Sequence, residues 1–183
     1  MIEKNKMING EMYNPNDDVL KKDRLNAKKL CYEFNKTPFD KRERMNKIIR
    51  KLFGKTSGNF NIEPTFFCDY GYNIEIGKNF YSNHNLVILD CAKVAFGNNV
   101  LIGPNCGFYT AEHPIDAKTR NSGLEFAKPI SVGNNVWFGG NVTVVGGVNI
   151  GDNCVIGAGS VVTKDIPPNS LAVGNPCRVI KSL

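Results

Sequence analysis

The chain has 183 residues, of which 42% are hydrophobic and 22% charged, as is usual for a soluble globular protein. Its apolar runs are shorter than the roughly 20 residues that span a bilayer, and its first residues lack a signal-peptide core, so we expect a cytoplasmic protein without membrane contact. The net charge of +6 arises in residues 1–55, which carry +7 while the remainder carries −1; because these charges alternate with apolar residues at helical spacing and no recognition motif accompanies them, they indicate a solvated helix face rather than a nucleic-acid site.

The first 57 residues form a predicted helical segment that is almost free of glycine. We expect a short helix over 2–9, a second from residue 17 or 18 to 34, and a third that Asp40 caps and Gly54 ends near position 52. The two longer helices have apolar stripes that should cover the open end of the following domain. The stripe residues are Leu20, Leu25, Ala27, Leu30, Cys31 and Phe34, then Met45, Ile48, Ile49 and Leu52.

Residues 58–183 form a second predicted unit, in which the sequence repeats every six residues. The repeat is strictest over 130–166, where apolar positions begin each unit at Val132, Phe138, Val144, Ile150, Ile156 and Val162. A further apolar or small residue follows four positions later, at Val136, Val142, Val148, Cys154, Ser160 and Ile166. Six is a multiple of the strand period, and the Gly-Asn-Asn clusters favour turns. Three such units would close a triangular coil, so the pattern predicts a parallel β-helix.

The repeat is interrupted at 109–129 and ends at a C-terminal tail, 167–183. The interrupting segment has no six-residue period but contains aromatic, charged and proline residues, which indicates a functional loop extruded from the solenoid rather than a disordered one. In the tail, two consecutive prolines suit the end of a sheet because they cannot donate to a strand ladder.

The chain has two histidines and six cysteines that form no C-x-x-C pair. His113 lies in the extruded loop and is the stronger candidate for a general base; His84 lies at an expected coil turn. Two histidines cannot make a three-histidine zinc site in one chain. Buried, reduced thiols are favoured over disulfides or a metal site.

Several stretches together resemble the hexapeptide-repeat O-acetyltransferases of the maltose and galactoside type. They are Phe67-Cys-Asp-Tyr-Gly-Tyr-Asn, Gly77-Lys-Asn-Phe-Tyr-Ser-Asn, His113-Pro, Arg120-Asn-Ser-Gly-Leu-Glu, Gly133-Asn-Asn-Val-Trp-Phe-Gly-Gly, Gly157-Ala-Gly-Ser-Val-Val-Thr-Lys-Asp and Gly174-Asn-Pro-Cys-Arg-Val-Ile. The resemblance implies a mainly β fold with a left-handed parallel β-helix. It also implies transfer of an acetyl group from acetyl-CoA, as co-substrate, to a sugar hydroxyl, with no metal required.

The resemblance assigns roles to individual residues. His113 would be the general base, and the backbone N–H of Gly140 would bind the oxyanion. Acceptor binding would involve Asp69, Asn83 and Glu125, although Glu125 could instead orient His113. Pro15 stands near the position where the galactoside enzyme is expected to have an acceptor-contacting aspartate, for which Asp17 is the candidate substitute. Acetyl-CoA would contact Trp137, Gly140, Ala158, Thr163, Lys164, Arg178 and Lys181.

The resemblance further implies a homotrimer with active sites between subunits. Three alternative acceptors are a xenobiotic such as an antibiotic, serine, and a lipooligosaccharide; serine is disfavoured because that group has a larger helical N-terminal domain. An alternative from another class is a non-enzymatic β-solenoid with a structural or ice-binding surface. Regular threonine ranks would indicate such a surface, and a long loop with His113 argues against it.

Overall fold

The computed structural model describes residues 2–183, which form a parallel β-solenoid covered at one end by helices. The helices are Glu3–Ile8 (α1), Asp18–Lys36 (α2), Arg42–Leu52 (α3) and Ala117–Asn121 (α4). The strands before the interruption are Lys55–Thr56 (β1), Phe60–Ile62 (β2), Phe66–Cys68 (β3), Ile74–Ile76 (β4), Phe80–Ser82 (β5), Leu86–Leu89 (β6), Val94–Phe96 (β7), Leu101–Ile102 (β8) and Gly107–Tyr109 (β9). The later strands are Ala111–Glu112 (β10), Phe126–Ala127 (β11), Ile130–Val132 (β12), Trp137–Phe138 (β13), Thr143–Val145 (β14), Asn149–Ile150 (β15), Val155–Ile156 (β16), Val161–Val162 (β17), Ser170–Val173 (β18) and Arg178–Ser182 (β19).

The solenoid is a prism with three faces, which successive strands visit in turn. The first face contains β1, β4, β7, β12 and β15, and the third contains β3, β6, β9, β14 and β17. The second face contains β2, β5, β8, β13, β16 and β18, to which β19 adds antiparallel. We call the turns between these faces the first–second, second–third and third–first corners.

The six-residue period corresponds to one face and one corner. All twelve repeat positions predicted over 130–166 are buried, so this part of the core is confirmed. The interior also contains a stack of aromatic rings that come from all three faces: Phe80, Phe96, Phe108 and Phe138 lie with neighbouring centroids 4.9–5.2 Å apart. Each pair meets edge to face, an arrangement that adds stability beyond the burial of apolar area.

The turns at the first–second corner are made by asparagines in the left-handed region. Their φ values are 56–57°, which asparagine tolerates better than most residues. Their side chains form a ladder in which each Nδ2 donates to the Oδ1 of the next asparagine at 2.8–2.9 Å. The ladder runs through Asn79, Asn99, Asn135, Asn153 and Asn169.

Helices α2 and α3 cover the first coil, because their buried residues belong to the same hydrophobic cluster as the solenoid interior. Phe66 of β3 packs edge to face against Phe34 of α2 and Phe53, with centroids 6.4 and 5.4 Å away. A second buried cluster joins Met7, Tyr13 and Leu20 to the coils at Tyr70 and Cys91. None of the helices in residues 2–183 combines the length and apolarity needed to cross a membrane.

Two expectations for the helical segment are wrong, those for Leu25 and for Asp40. Leu25 is 53% exposed, because it lies on the opposite side of α2 from Ala27 and Leu30. Asp40 does not cap α3, which begins after Lys41 without a side-chain cap. Helix α3 ends at Leu52, as expected, and Gly54 follows its C-cap. A Cβ at Gly54 would lie 2.1 Å from the carbonyl oxygen of Tyr72, so close backbone approach requires glycine there.

Candidate active site

The interruption of the repeat emerges at the third–first corner as an ordered hairpin. Strands β10 and β11 pair antiparallel, and α4 lies between them with the side chain of Asp116 accepting the N–H of Thr119 at 2.7 Å. The segment is therefore extruded as expected, but it has regular structure of its own. His113 follows β10 directly and is exposed. The solenoid thus fixes the two ends of the segment that carries the imidazole.

The N-terminal segment is tied to the far side of this hairpin. The N–H of Tyr13 donates to the carbonyl of Glu125 at 2.9 Å, and the N–H of Glu125 donates back at 3.1 Å. The Tyr13 hydroxyl also donates to Glu125 Oε2 at 2.9 Å. Together these contacts fix the Glu125 carboxylate, leaving Oε1 for another partner.

A cavity of about 700 Å³ opens between the hairpin, α2 and the third–first corner. Three predicted site residues, Asp69, His113 and Glu125, lie in its lining. The other lining residues are Pro15, Asn16, Arg24, Lys28, Tyr70, Leu89, Cys91, Ala111, Arg120 and Gly123. A polar cavity with two carboxylates and an imidazole has the groups needed to bind hydroxyls and to remove a proton from one of them.

The Asp69 carboxylate forms part of the cavity wall. Burial raises its pKa, an effect opposed by the Cys91 thiol and by the positive charge of Arg24. The Cys91 thiol donates to Asp69 Oδ2 at 3.5 Å. Burial and the nearby Asp69 charge raise the pKa of Cys91, so this thiol is a neutral donor rather than a nucleophile.

Arg24 links α2 to the same wall. Its guanidinium donates to the Tyr70 hydroxyl at 2.6 Å and to the carbonyl of Pro15. Arg24, Lys28, Tyr70 and Cys91 were not predicted as site residues, since the basic helix residues match a solvated face equally well. Tyr70 and Cys91 had a sequence signal, because each follows a repeat strand at the corner from which the hairpin later emerges.

The other predicted residues lie elsewhere in the chain, and none of them lines the cavity. By strand register, Gly140 and Ala158 are stacked at the second–third corner, and Asn83 lies at the same corner, where its N–H donates to Ile102 at 2.8 Å. No hydrogen bond joins the Gly140 N–H to another residue of 2–183. Trp137 is 54% exposed on the adjoining second face.

The remaining predicted residues are more dispersed. Thr163 and Lys164 lie at the third–first corner after β17, and Arg178 and Lys181 lie on the exposed strand β19. The Asp17 side chain caps α2, accepting the N–H groups of residues 19 and 20 at 3.0 and 3.2 Å, while Pro15 and Asn16 line the cavity. Across residues 2–183, no three His, Cys, Asp or Glu side chains are grouped so that they could hold a metal ion.

Comparisons with known proteins match the helical segment and the repeat. Residues 6–58 match the family described as the maltose acetyltransferase hexapeptide capping motif, and residues 129–164 match the hexapeptide repeat of succinyl-transferase. A relative from Saccharomyces cerevisiae, named as an acetyltransferase, is 54% identical over 179 residues, 97% of this chain and 91% of its own. The chain belongs to the hexapeptide-repeat acetyltransferases of the maltose and galactoside type.

Two solved structures extend the match to the whole fold. A maltose O-acetyltransferase from Clostridium difficile 630 superposes with a TM-score of 0.99 at 53% identity, covering 100% of this chain and 98% of the other. A galactoside acetyltransferase in complex with coenzyme A gives a TM-score of 0.96 at 43% identity, covering 100% and 91%. The solenoid is accordingly a left-handed β-helix, and the protein is an acyltransferase.

Proposed function

We propose that this acetyltransferase moves the acetyl group of acetyl-CoA to a hydroxyl group of a sugar bound in the cavity. The observation that carries the proposal is the convergence of His113, Asp69 and Glu125 on one polar cavity. Carboxylate oxygens accept hydrogen bonds from sugar hydroxyls, and the imidazole supplies a base beside them. The relatives named as maltose and galactoside acetyltransferases support this class of acceptor.

In the proposed reaction, His113 takes the proton from the acceptor hydroxyl as its oxygen forms a bond to the thioester carbonyl carbon. The carbonyl oxygen becomes an oxyanion, for which the Gly140 N–H, free of other partners, is a fixed donor. Collapse of the intermediate breaks the carbon–sulfur bond, and the imidazolium returns its proton to the leaving thiolate. The products are the acetyl ester and free CoA.

The two halves of this site occupy different edges of one chain. His113, Asp69 and Glu125 lie at the third–first corner, whereas Gly140 and Asn83 lie at the second–third corner, across the third face. A cyclic trimer uses two different surfaces of each subunit at every contact, so it can bring one corner of a chain against the other corner of its neighbour. We therefore infer a homotrimer with three shared sites.

Outward-facing residues support packing between copies. The second face presents a register-aligned row through Tyr81, Leu101, Trp137, Val155 and Leu171, in which Leu101 is 48% exposed. The first face instead presents polar residues such as Glu75, Ser131 and Asn149. A continuous apolar row on one face is typical of a protein interface.

For acetyl-CoA, we propose the second–third corner as the binding groove. Small residues stack there on successive coils, which lets a thin pantetheine arm approach the backbone, and Trp137 offers an apolar surface beside it. Arg178 and Lys181 on β19 supply cations for the phosphates. Lys164 lies at the third–first corner, so it would reach the phosphates from a neighbouring subunit of the trimer. The relative solved with coenzyme A supports this co-substrate.

The test measures CoA release with a thiol reagent from purified protein, acetyl-CoA and a panel of acceptors. The panel contains maltose, glucose, galactosides and a set of hydroxylated antibiotics. We expect sugar-dependent release that His113→Ala lowers by a factor on the order of 10² to 10⁴. The matched control is Glu112→Gln in the same hairpin, since Glu112 pairs with Lys128 at 3.0 Å and does not line the cavity.

Three results would contradict the proposal. Full activity of His113→Ala would show that His113 is not the general base. Absence of acetyl-CoA binding would show that acetyl-CoA is not the co-substrate. Transfer to antibiotics without transfer to sugars would replace the acceptor class with a xenobiotic.

A further inference from the structure

Asp90 is a fully buried carboxyl group that lies behind the cavity wall without lining the cavity. Its Oδ1 accepts the backbone N–H groups of Asp69 and Tyr70 at 3.1 and 2.8 Å, and its Oδ2 accepts that of Asn73 at 3.3 Å. Its own carbonyl accepts Asn73 Nδ2 at 2.7 Å. All these donors belong to the turn 69–73, so a single residue, through its side chain and its carbonyl, holds the turn that carries the Asp69 carboxylate.

The same corner is tied to the next coil by Thr110, which is also fully buried. The Thr110 hydroxyl donates to the carbonyl of Leu89 at 2.6 Å and accepts the N–H of Ala92 at 2.9 Å. Thr110 directly precedes β10, the strand that leads to His113. The segment 89–92 therefore connects the Asp69 turn on one side with the start of the His113 hairpin on the other.

An aspartate matches the hydrogen-bond donors of this turn better than an asparagine does. Its two oxygens accept three amides, whereas an asparagine would present an NH₂ group to one of them. No lysine, arginine or histidine within residues 2–183 forms an ion pair with Asp90. A buried acid is costly without a cation, and backbone donors are the compensation this site offers. The hydrogen bonds of Asp90 therefore fix the backbone of the turn 69–73.

We propose that Asp90 is a positioning residue of the acceptor site: together with Thr110 it fixes Asp69 relative to His113 and so sets the affinity for the acceptor. This inference rests on the proposed function of the cavity. Asp90 does not contact the acceptor or acetyl-CoA in this proposal. Its loss should therefore weaken acceptor binding and leave the use of acetyl-CoA unaffected.

The test compares wild type with Asp90→Asn at pH 8, in two measurements. In steady-state kinetics we expect the KM for the acceptor to rise about tenfold, well within the loss that a misplacement of about 1 Å can cause, and the KM for acetyl-CoA to stay within about twofold. In hydrogen exchange, we expect the amides of 69, 70 and 73 to exchange about tenfold faster. The matched control is Asp152→Asn, because Asp152 accepts the N–H of Asn134 at 2.6 Å at a corner away from the cavity.

Unchanged acceptor KM in folded Asp90→Asn would overturn the proposal, as would equal increases in both KM values. If Asp90→Asn does not fold, Asn73→Ala carries the test: it removes only the bond to the Asp90 carbonyl, and it should raise acceptor KM by a smaller factor, about threefold. No change in that variant would also count against the proposal. If wild type acetylates no acceptor, the proposed function fails, while the exchange rates still decide whether Asp90 holds the turn.

Discussion

A mixing experiment tests whether each active site is built from two subunits. His113→Ala removes the base at the third–first corner, and Gly140→Val obstructs the groove at the second–third corner. A Cβ at Gly140 would meet its nearest neighbours, atoms of Pro104, at 3.4 Å, and the residue has no positive φ. Both variants should therefore fold and assemble, and each alone should be inactive.

Co-expression of the two variants should restore activity, because a mixed ring contains a subunit with intact His113 beside one with intact Gly140. Every mixed trimer has one such junction among its three sites, and random assembly at equal amounts makes about three quarters of the trimers mixed. We therefore expect about one quarter of wild-type turnover. Differently tagged subunits and two affinity steps isolate the mixed trimers, for which the expected value is about one third.

The control co-expresses His113→Ala with the double variant, a mixture that contains no intact base and should stay inactive. Mixed trimers of confirmed composition without activity would refute the shared site. Activity of Gly140→Val on its own would show that a valine side chain at this position leaves the groove open. In that case Asn83→Ala replaces it as the second-edge variant.

Three further predictions concern stability and chemistry. Phe108→Ala should lower the free energy of unfolding by about 4 kcal/mol in a urea titration, since Phe108 is fully buried between two rings, whereas Phe39→Ala, at a position 70% exposed, should cost under about 0.5 kcal/mol. A thiol reagent should label the native protein slowly and all six cysteines after denaturation, because every thiol is buried and unpaired; fast labelling of the native protein would contradict this. Burial raises the pKa of Asp90 to about 7, above the roughly 3.9 of an unfolded chain, so its contribution to stability is present below about pH 4 and is lost as pH rises through 7. The melting temperature of wild type should accordingly fall relative to that of Asp90→Asn between pH 4 and 8. Parallel plots of melting temperature against pH for the two proteins would disprove this prediction.

The solenoid core was predictable because its register is local. Each coil repeats the same short strand and turn, so the positions that point inward recur every six residues, and Val132 through Ile166 could be assigned without knowledge of distant contacts. The stripe on α3 followed in the same way from helical spacing. Leu25 and Asp40 were misassigned for the opposite reason. The rotation of α2 about its axis decides whether Leu25 faces the core, and the first residue of α3 decides which side chain can cap it; composition leaves both open.

The cavity was predictable only in part, because its walls come from separate parts of the chain. Asp69, His113 and Glu125 stood out through the interruption and the resemblance. Arg24 and Lys28 belong to a helix whose charges look like any solvated face, and only packing of α2 against the corner directs them to the cavity.

The hairpin illustrates a further limit. A broken period shows where the chain leaves the solenoid, but the pairing of β10 with β11 and the attachment of Glu125 to Tyr13 need partners 16 and 112 residues apart. Those long-range contacts determine where the imidazole stands relative to Asp69.

The solenoid geometry also explains why one chain leaves the proposed site divided. A residue that follows a strand of the second face and a residue that follows a strand of the third face are separated by the full width of the third face, on every coil. The hairpin with His113 packs at the third–first corner of its own chain, so in the proposed trimer it meets the Gly140 corner of a second prism. If acetyl transfer needs both corners, assembly is a condition of catalysis and not only of stability. Dilution below the dissociation constant of the trimer should then abolish turnover even where the separated subunits stay folded.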